Sequence, residues 1–244
     1  MAASRVTEVL ARTGGFSPRV ARRRMYETTQ HLLQCTQSLD SIMPGGDGFA
    51  ASIRVRLLHA AVRRRILKLA EVKPEYYSVD KYGIPINDLD CIATIAIFST
   101  TLIHFGFPRQ GIFLREQEKD DYQALWRLIA YYMGAPTDVF ATRESAKLMM
   151  ESLSSELVPS EMSKVMANNI IISLQNIPPA YPSRQFLVAS TRWLIGDALS
   201  DALGLERPPF YYRALVGGQC LFFMSICYTY RSFDYLDKRK IKVC

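Results

Sequence analysis

Hydrophobic residues recur every three or four positions through most of the chain, which is the period of an α-helix. The clearest run is 50–70, which has a broad apolar stripe and contains no Gly or Pro. A second run, 121–133, is predicted to be a helix that ends at Gly134, because Pro136 follows just beyond it. The alternating pattern of β-strands and the Asn-Gly signal of hairpins are missing. The pattern therefore predicts an all-α chain.

Clusters of Gly and Pro divide the chain into segments of helical length. Residues that favour helix N-caps precede several of these segments, namely Asn87, Ser160, and either Ser183 or Ser190. No linker, internal repeat or low-complexity tract interrupts the sequence. We therefore expect residues 1–244 to form one domain of about eight helices.

Two apolar stretches, 91–107 and 214–230, approach the length of a membrane span. Each is at the short limit for crossing a bilayer and is diluted by polar residues, so we expect both to be buried core helices. The second is the better membrane candidate, because Arg213 and Arg231 bracket it. The N-terminus lacks the charged-then-apolar layout of a signal peptide, which favours an intracellular protein.

The composition is that of a globular protein, with 49% hydrophobic and 22% charged residues. The net charge of +7 is concentrated in three groups, within 19–24, 54–68 and 238–242. Such clusters suit phosphate, anionic lipid or buried carboxylates equally well. Because exposed aromatic residues are not interleaved with them, the sequence does not favour nucleic acid as a partner.

The five cysteines include no CxxC pair, which argues against a disulfide framework and a zinc ribbon. Cys220 and Cys227 could share a helix face, and we expect both to be small buried hydrophobic residues. The nucleophile elbow, the dinucleotide fingerprint and the phosphate-binding loop are also absent. Serine hydrolysis and nucleotide-cofactor chemistry are disfavoured accordingly.

His59 lies between two arginines on one helical stripe, because spacings of three and four place Arg56, His59 and Arg63 on the same face. The two arginines would repel a charged His59. They would not repel a neutral imidazole, and haem would provide iron for that imidazole and propionates for the two guanidiniums. The alternative is a solvated basic face, which the spacing alone favours. His31 and His104 have no second ligand at helical spacing, and we expect both to be hydrogen-bonded structural residues.

The string Arg-Val-Arg-Leu-Leu-His-Ala-Ala-Val-Arg at 54–63 resembles the central motif of the latex-clearing protein (rubber oxygenase) family, which also contains the fungal ER-bound mpaB-type oxygenases. Four further segments, 24–28, 83–98, 121–134 and 192–205, resemble other family elements in the same order. The resemblance covers about residues 5 to 210. It implies a globin-like helical domain around a pocket for haem b.

The resemblance also implies roles for individual residues. His59 corresponds to the proximal iron ligand, and the residues assigned to cofactor binding are Arg24, Thr28, Arg56, His59, Arg63 and Arg192. Glu8, twenty residues before Thr28, matches the position at which rubber-cleaving members carry a catalytic carboxylate. Glu27 stands where some of those members have a basic residue, which suggests a different distal side and a different substrate.

The expected function is oxidation or cleavage of a C=C bond in a hydrophobic, isoprenoid substrate by O₂, with Glu8 or Glu27 as the general base. One alternative is a haem-binding protein without turnover. Another is a helical protein without haem that holds anionic lipid at a membrane surface. The resemblance is compatible with a cytoplasmic protein or one associated peripherally with the ER membrane.

Overall fold

The computed structural model describes residues 4–155, 158–233 and 235. These residues form helices joined by short loops, and no strand occurs among them, so the all-α prediction is confirmed. The helices are α1 (Ser4–Arg12), α2 (Pro18–Thr36), α3 (Leu39–Ile42), α4 (Asp47–Val72), α5 (Val79–Tyr82), α6 (Asp88–Phe98), α7 (Phe107–Arg109), α8 (Glu116–Met133), α9 (Arg143–Ser155), α10 (Glu161–Leu174), α11 (Arg184–Ile195), α12 (Asp197–Ala202) and α13 (Phe210–Ser232). Short 3₁₀ turns cover Pro74–Tyr76 and Asp138–Phe140, and a π-helical turn covers Leu102–Gly106.

Local sequence signals set several of the helix ends. The Asn87 side chain accepts a hydrogen bond from the backbone N–H of Asp90 and so caps α6. Ser160 caps α10 in the same way, and Ser183, rather than Ser190, caps α11. Gly134 ends α8 with the left-handed φ and ψ of 75° and 25° that favour glycine. The sequence predicted these positions because each cap depends only on neighbouring residues.

The main core joins α2, α4, α6, α8 and α9. Trp126 of α8 is fully buried and stacks on Phe98 of α6, with ring centroids 5.5 Å apart. Phe49 of α4 meets Tyr132 of α8 edge to face at 4.9 Å. These aromatic contacts fix α8 against α6 and α4, and α2 also packs along α4. The core therefore holds α4, the helix that carries His59, between two neighbours.

The two apolar stretches have different surroundings. The first forms α6 and the π-helical turn, and it buries Ile92, Ile95 and Ile103. The helical segment Asp88–Arg109 is also the one stretch, within the described ranges, that is long and apolar enough to cross a membrane. The second lies in α13, where the buried residues are Val216 and Cys220.

The expectation that 214–230 is a buried core helix is therefore wrong, and so is the expected burial of Cys227, which is exposed. Apolar residues occur on every side of α13. The helix packs mainly against α11, so a single stripe of its surface is covered.

Candidate functional site

The face of α4 around His59 is organised by two arginines with different partners. Arg63 donates from Nε to the Pro85 carbonyl at 3.2 Å and from a terminal nitrogen to the Ile86 carbonyl. The guanidinium of Arg56 lies over the end of α8, where a Cβ on Gly134 would come within 2.8 Å of its Nε. His59 thus lies one helical turn from each arginine, between the loop before α6 and the end of α8.

His59 is half-buried, and its surroundings favour the neutral imidazole. Burial lowers the pKa of His59 below its ordinary value of 6.5, and the charge of Arg63 and the nearby His31 lower it further. A neutral imidazole is the form that ligates a metal ion. The surroundings of His59 therefore favour the neutral imidazole that the sequence analysis expected between Arg56 and Arg63.

His31 links α2 to α4 at the level of Ser52. Its Nε2 lies 3.1 Å from the Ser52 hydroxyl, which donates in turn to the Gly48 carbonyl at 2.8 Å. The prediction that His31 is a hydrogen-bonded structural residue is confirmed. Because the two helices run antiparallel from this contact, α2 brings Arg24, seven residues before His31, to the level of His59.

Arg24 and Thr28 lie on this part of α2, and Arg24 is already bonded to the preceding turn. Its guanidinium donates to the Thr13 carbonyl at 2.7 Å and lies over the Phe16 ring at 5.2 Å from the centroid. Burial lowers the pKa of Arg24, against the opposing charge of Glu27. Thr28 is half-buried. Arg24 therefore anchors the start of α2 to the α1–α2 turn, and a direct role towards a cofactor stays a prediction.

The two candidate carboxylates differ in environment. Glu8 on α1 is 20% exposed and pairs with Arg12 at 2.7 Å. Glu27 on α2 is 56% exposed and pairs with Arg23 at 2.7 Å. Among the described residues, no hydrogen bond or ion pair joins either carboxylate to His59. Glu8 is the better shielded of the two, and Glu27 faces solvent.

Asp90 is a buried carboxylate that the sequence analysis used only as part of a cap and a motif. It is 8% exposed and lies 3.7 Å from Arg5 of α1. Burial raises the pKa of Asp90, against the opposing effects of the Arg5 charge and of a hydrogen bond from the Asn87 backbone. Burial together with Asp90 and Glu8 raises the pKa of Tyr77 to about 12. Glu8 and Asp90 thus belong to one cluster around the Tyr77 phenol.

Arg192 lies in a separate polar cluster in the C-terminal part of the chain. It is 8% exposed, and its three guanidinium nitrogens donate to Asp197 at 2.9 Å, to the Leu205 carbonyl at 3.1 Å and to Asp201 at 2.7 Å. A role in cofactor binding would require Arg192 to release some of these bonds. That role stays a prediction, and in this structure Arg192 holds α11, α12 and the following loop together.

A further polar cluster lies at the π-helical turn. Thr100 is buried and its hydroxyl lies 3.4 Å from the side-chain oxygen of Gln123. The Gln123 amide nitrogen, the Trp126 indole nitrogen and His104 Nε2 are buried without a hydrogen-bond partner. The prediction that His104 is hydrogen-bonded is therefore not met at this nitrogen.

His104 is expected to make the protein less stable in acid. Burial lowers its pKa below 6.5, with further lowering by Lys147, Lys119 and Arg143, against a smaller opposing effect of Glu151. Above pH 6.5, His104 is neutral in the folded and unfolded states and has no effect. As pH falls through that value, the unfolded state takes up the proton first, so the free energy of unfolding decreases until the folded pKa is passed.

Urea denaturation between pH 7 and pH 5 tests this expectation. The loss of stability on acidification should be smaller for His104→Asn than for the natural sequence, although His31 and His59, whose pKa values are also lowered, will still contribute. Equal losses in the two proteins would contradict the assignment.

Comparisons with known proteins agree with the family resemblance seen in the sequence. Residues 1–220 match the model of the family described as ER-bound oxygenase mpaB/B'/Rubber oxygenase, catalytic domain. The chain is also 20% identical over 179 residues to the rubber oxygenase of Streptomyces sp. (strain K30), which covers 72% of this chain and 43% of the relative. The chain thus spans about two fifths of that relative's length. No solved structure matches the chain significantly.

The family match includes all the helices around His59 and most of the described residues. The chain belongs to the ER-bound oxygenase mpaB/B'/rubber oxygenase catalytic-domain family.

Proposed function

We propose that this protein is a haem b-dependent oxygenase that uses O₂ to oxidise or cleave a C=C bond of a hydrophobic, isoprenoid substrate. The observation that carries the proposal is His59, a half-buried histidine whose pKa is lowered, in the segment that resembles the central family motif and within the residues that the family model matches. Its iron-ligand role would follow from its neutral state and from the arginines on either side.

The residues around His59 fit haem in three respects. The imidazole is held neutral, as an iron ligand requires. Arg56 has no hydrogen bond or ion pair among the described residues, so its guanidinium is available to a propionate. Leu58, which precedes His59 and is 58% exposed, leaves apolar surface of α4 without cover. Arg63 would act differently, because its bonds to Pro85 and Ile86 fix α4 against the loop before α6.

When bound, haem supplies the iron at which O₂ is activated. The chain's own contribution would be to hold that group through His59 and to place a proton acceptor near the substrate. Glu8 is the proposed acceptor for an allylic proton, and its ion pair with Arg12 limits the orientations that its carboxylate can take. Asp90, in the same cluster around Tyr77, is a more deeply buried carboxylate that would be a second group able to receive or supply a proton.

Incubation of the purified protein with a polyisoprenoid, in air and without oxygen, tests the proposed activity. We expect products that carry new carbonyl groups, formed only when O₂ is present. Haem binding without any product would favour the haem protein without turnover. Absence of both haem and product would favour the helical membrane-surface protein.

Replacing Arg56 or Arg63 by Leu is expected to lower haem retention for different reasons. Arg56→Leu removes the free guanidinium near His59 and should leave the fold intact. Arg63→Leu leaves the Pro85 and Ile86 carbonyls without their donor, so it should also reduce the free energy of unfolding by about 1–3 kcal/mol. Haem content after gel filtration and urea denaturation measure the two effects.

Arg65→Leu is the matched control, since Arg65 is an exposed residue on another side of α4. It should keep haem and stability close to those of the natural sequence. Normal haem content in both Arg56→Leu and Arg63→Leu would instead support the solvated basic face.

A further inference from the structure

One face of α1 carries two arginines, one on either side of Glu8. Arg5, Glu8 and Arg12 share this face because they are spaced three and four residues apart. Arg12 pairs with Glu8 at 2.7 Å, and its guanidinium lies over the Tyr76 ring at 5.3 Å from the centroid. Arg5 instead lies 3.7 Å from the Asp90 carboxylate of α6. Among the described residues, the two arginines of this face therefore pair with two different carboxylates.

Asp90 has a fixed position at the start of α6. Its backbone N–H donates to the Asn87 side chain at 2.9 Å, and its carbonyl accepts from the Thr94 hydroxyl at 2.8 Å. The Asp90 side chain is 10% exposed, whereas that of Arg5 is 32% exposed. A carboxylate with so little access to water costs free energy unless a cation lies beside it. Asp90 is thus a rigid, shielded partner for Arg5.

The charges around the buried Tyr77 phenol are balanced. Burial, Asp90 and Glu8 raise the pKa of Tyr77 to about 12, and Arg5 opposes them, which places all three charged groups near this ring. The Tyr77 hydroxyl donates to the Gly83 carbonyl at 3.1 Å, so its proton goes to neither carboxylate. Each carboxylate of the cluster therefore depends on an arginine of α1 for its compensating charge.

Loss of the Asp90 charge would upset this balance. Arg5 would be free to pair with Glu8, because residues three apart on a helix are neighbours. A carboxylate between two cations is held more firmly in its ionised form and is a weaker proton acceptor.

We infer that Asp90 is a positioning residue that keeps Arg5 away from Glu8 and so leaves Glu8 able to accept a proton. The importance of Asp90 for turnover rests on the proposed function, in which Glu8 is the base. The control of Arg5 by Asp90 does not depend on turnover.

Turnover of a polyisoprenoid tests the positioning role. Asp90→Asn should lower kcat about tenfold while KM and haem content stay the same, because a hindered base loses part of its ~10²–10⁴-fold effect. The double variant Arg5→Gln/Asp90→Asn should recover most of this loss, since no second cation then competes for Glu8. If the ion pair were merely structural, the double variant would not recover, because it lacks the pair as well.

Asp88→Asn is the matched control, because Asp88 is an exposed carboxylate in the same first turn of α6. It should leave kcat unchanged. A double variant that is as slow as Asp90→Asn would overturn the inference, and so would an Asp90→Asn protein with the natural kcat.

Urea denaturation separates failure of this inference from failure of the proposed function. Arg5→Gln, Glu8→Gln and their combination give the coupling free energy between Arg5 and Glu8. This coupling should be larger when Asp90→Asn is also present than in the natural background. Equal coupling in the two backgrounds would overturn the inference, whatever the turnover. Increased coupling in a protein without any turnover would reject the proposed function and leave the control of Arg5 by Asp90 intact.

Discussion

Replacing Glu8 by Gln is expected to reduce oxidation of a polyisoprenoid by ~10²–10⁴-fold while haem content stays the same. Gln keeps the size of the side chain and removes the proton acceptor. Glu8 is 20% exposed, and Arg12 and the Tyr77 cluster limit its mobility, as a positioned base requires. Product formation under saturating substrate, together with the haem absorption band, separates loss of the base from loss of the cofactor.

Glu27→Gln is the matched control for this variant. Glu27 is 56% exposed and its pair with Arg23 joins positions i and i+4 on the surface of α2, so the change should have little effect on the free energy of unfolding and on activity. If Glu27→Gln abolishes activity and Glu8→Gln does not, the two roles are exchanged. If neither variant matters and Asp90→Asn does, the base is the buried carboxylate beside Arg5.

Arg192→Met should lower the free energy of unfolding by about 3 kcal/mol. The guanidinium is buried and bridges Asp197, Asp201 and the Leu205 carbonyl, and Met replaces only its apolar stem. This loss of stability lies at the low end of the range for a broken buried ion pair, because the carboxylates of Asp197 and Asp201 are 48% and 42% exposed and can be hydrated. Urea denaturation provides the measurement.

Arg207→Met is the corresponding control. Arg207 binds the same Asp201 carboxylate but is 72% exposed, so its loss should lower the free energy of unfolding much less than the loss of Arg192 does. A protein with Arg192→Met that keeps its stability but loses haem would contradict the structural role and support the cofactor role that the resemblance implies.

Sequence reasoning predicted the helices most reliably where neighbouring residues determine them. The caps at Asn87, Ser160 and Gly134 follow from side-chain hydrogen bonds or backbone conformation within one turn. The burial of α13 could not be predicted in this way. Its apolar residues indicate a helix, but whether they face a core depends on which other helices pack against it.

In the candidate site, too, the sequence predicted only the features that neighbouring residues determine. The shared face of Arg56, His59 and Arg63 follows from helical spacing alone. Their partners do not, because Arg56 meets Gly134 and Arg63 meets Pro85, both remote in sequence. The role of Asp90 was missed for the same reason.

The burial of Asp90 and its partner Arg5 depend on how α1 packs near α6, and α1 and α6 are far apart in the sequence. A buried carboxylate of this kind leaves no local pattern that distinguishes it from a capping residue.

The absorption spectrum of the purified protein, after haem has been supplied and the excess removed, tests the central claim most directly. The natural sequence should show a Soret band, and His59→Ala should be folded but lack it, because the His31 imidazole is hydrogen-bonded to Ser52 and His104 lies at the π-helical turn. His104→Asn, which changes a histidine at the π-helical turn, should keep the band. A His59→Ala protein with full haem content and an unchanged spectrum would contradict the account.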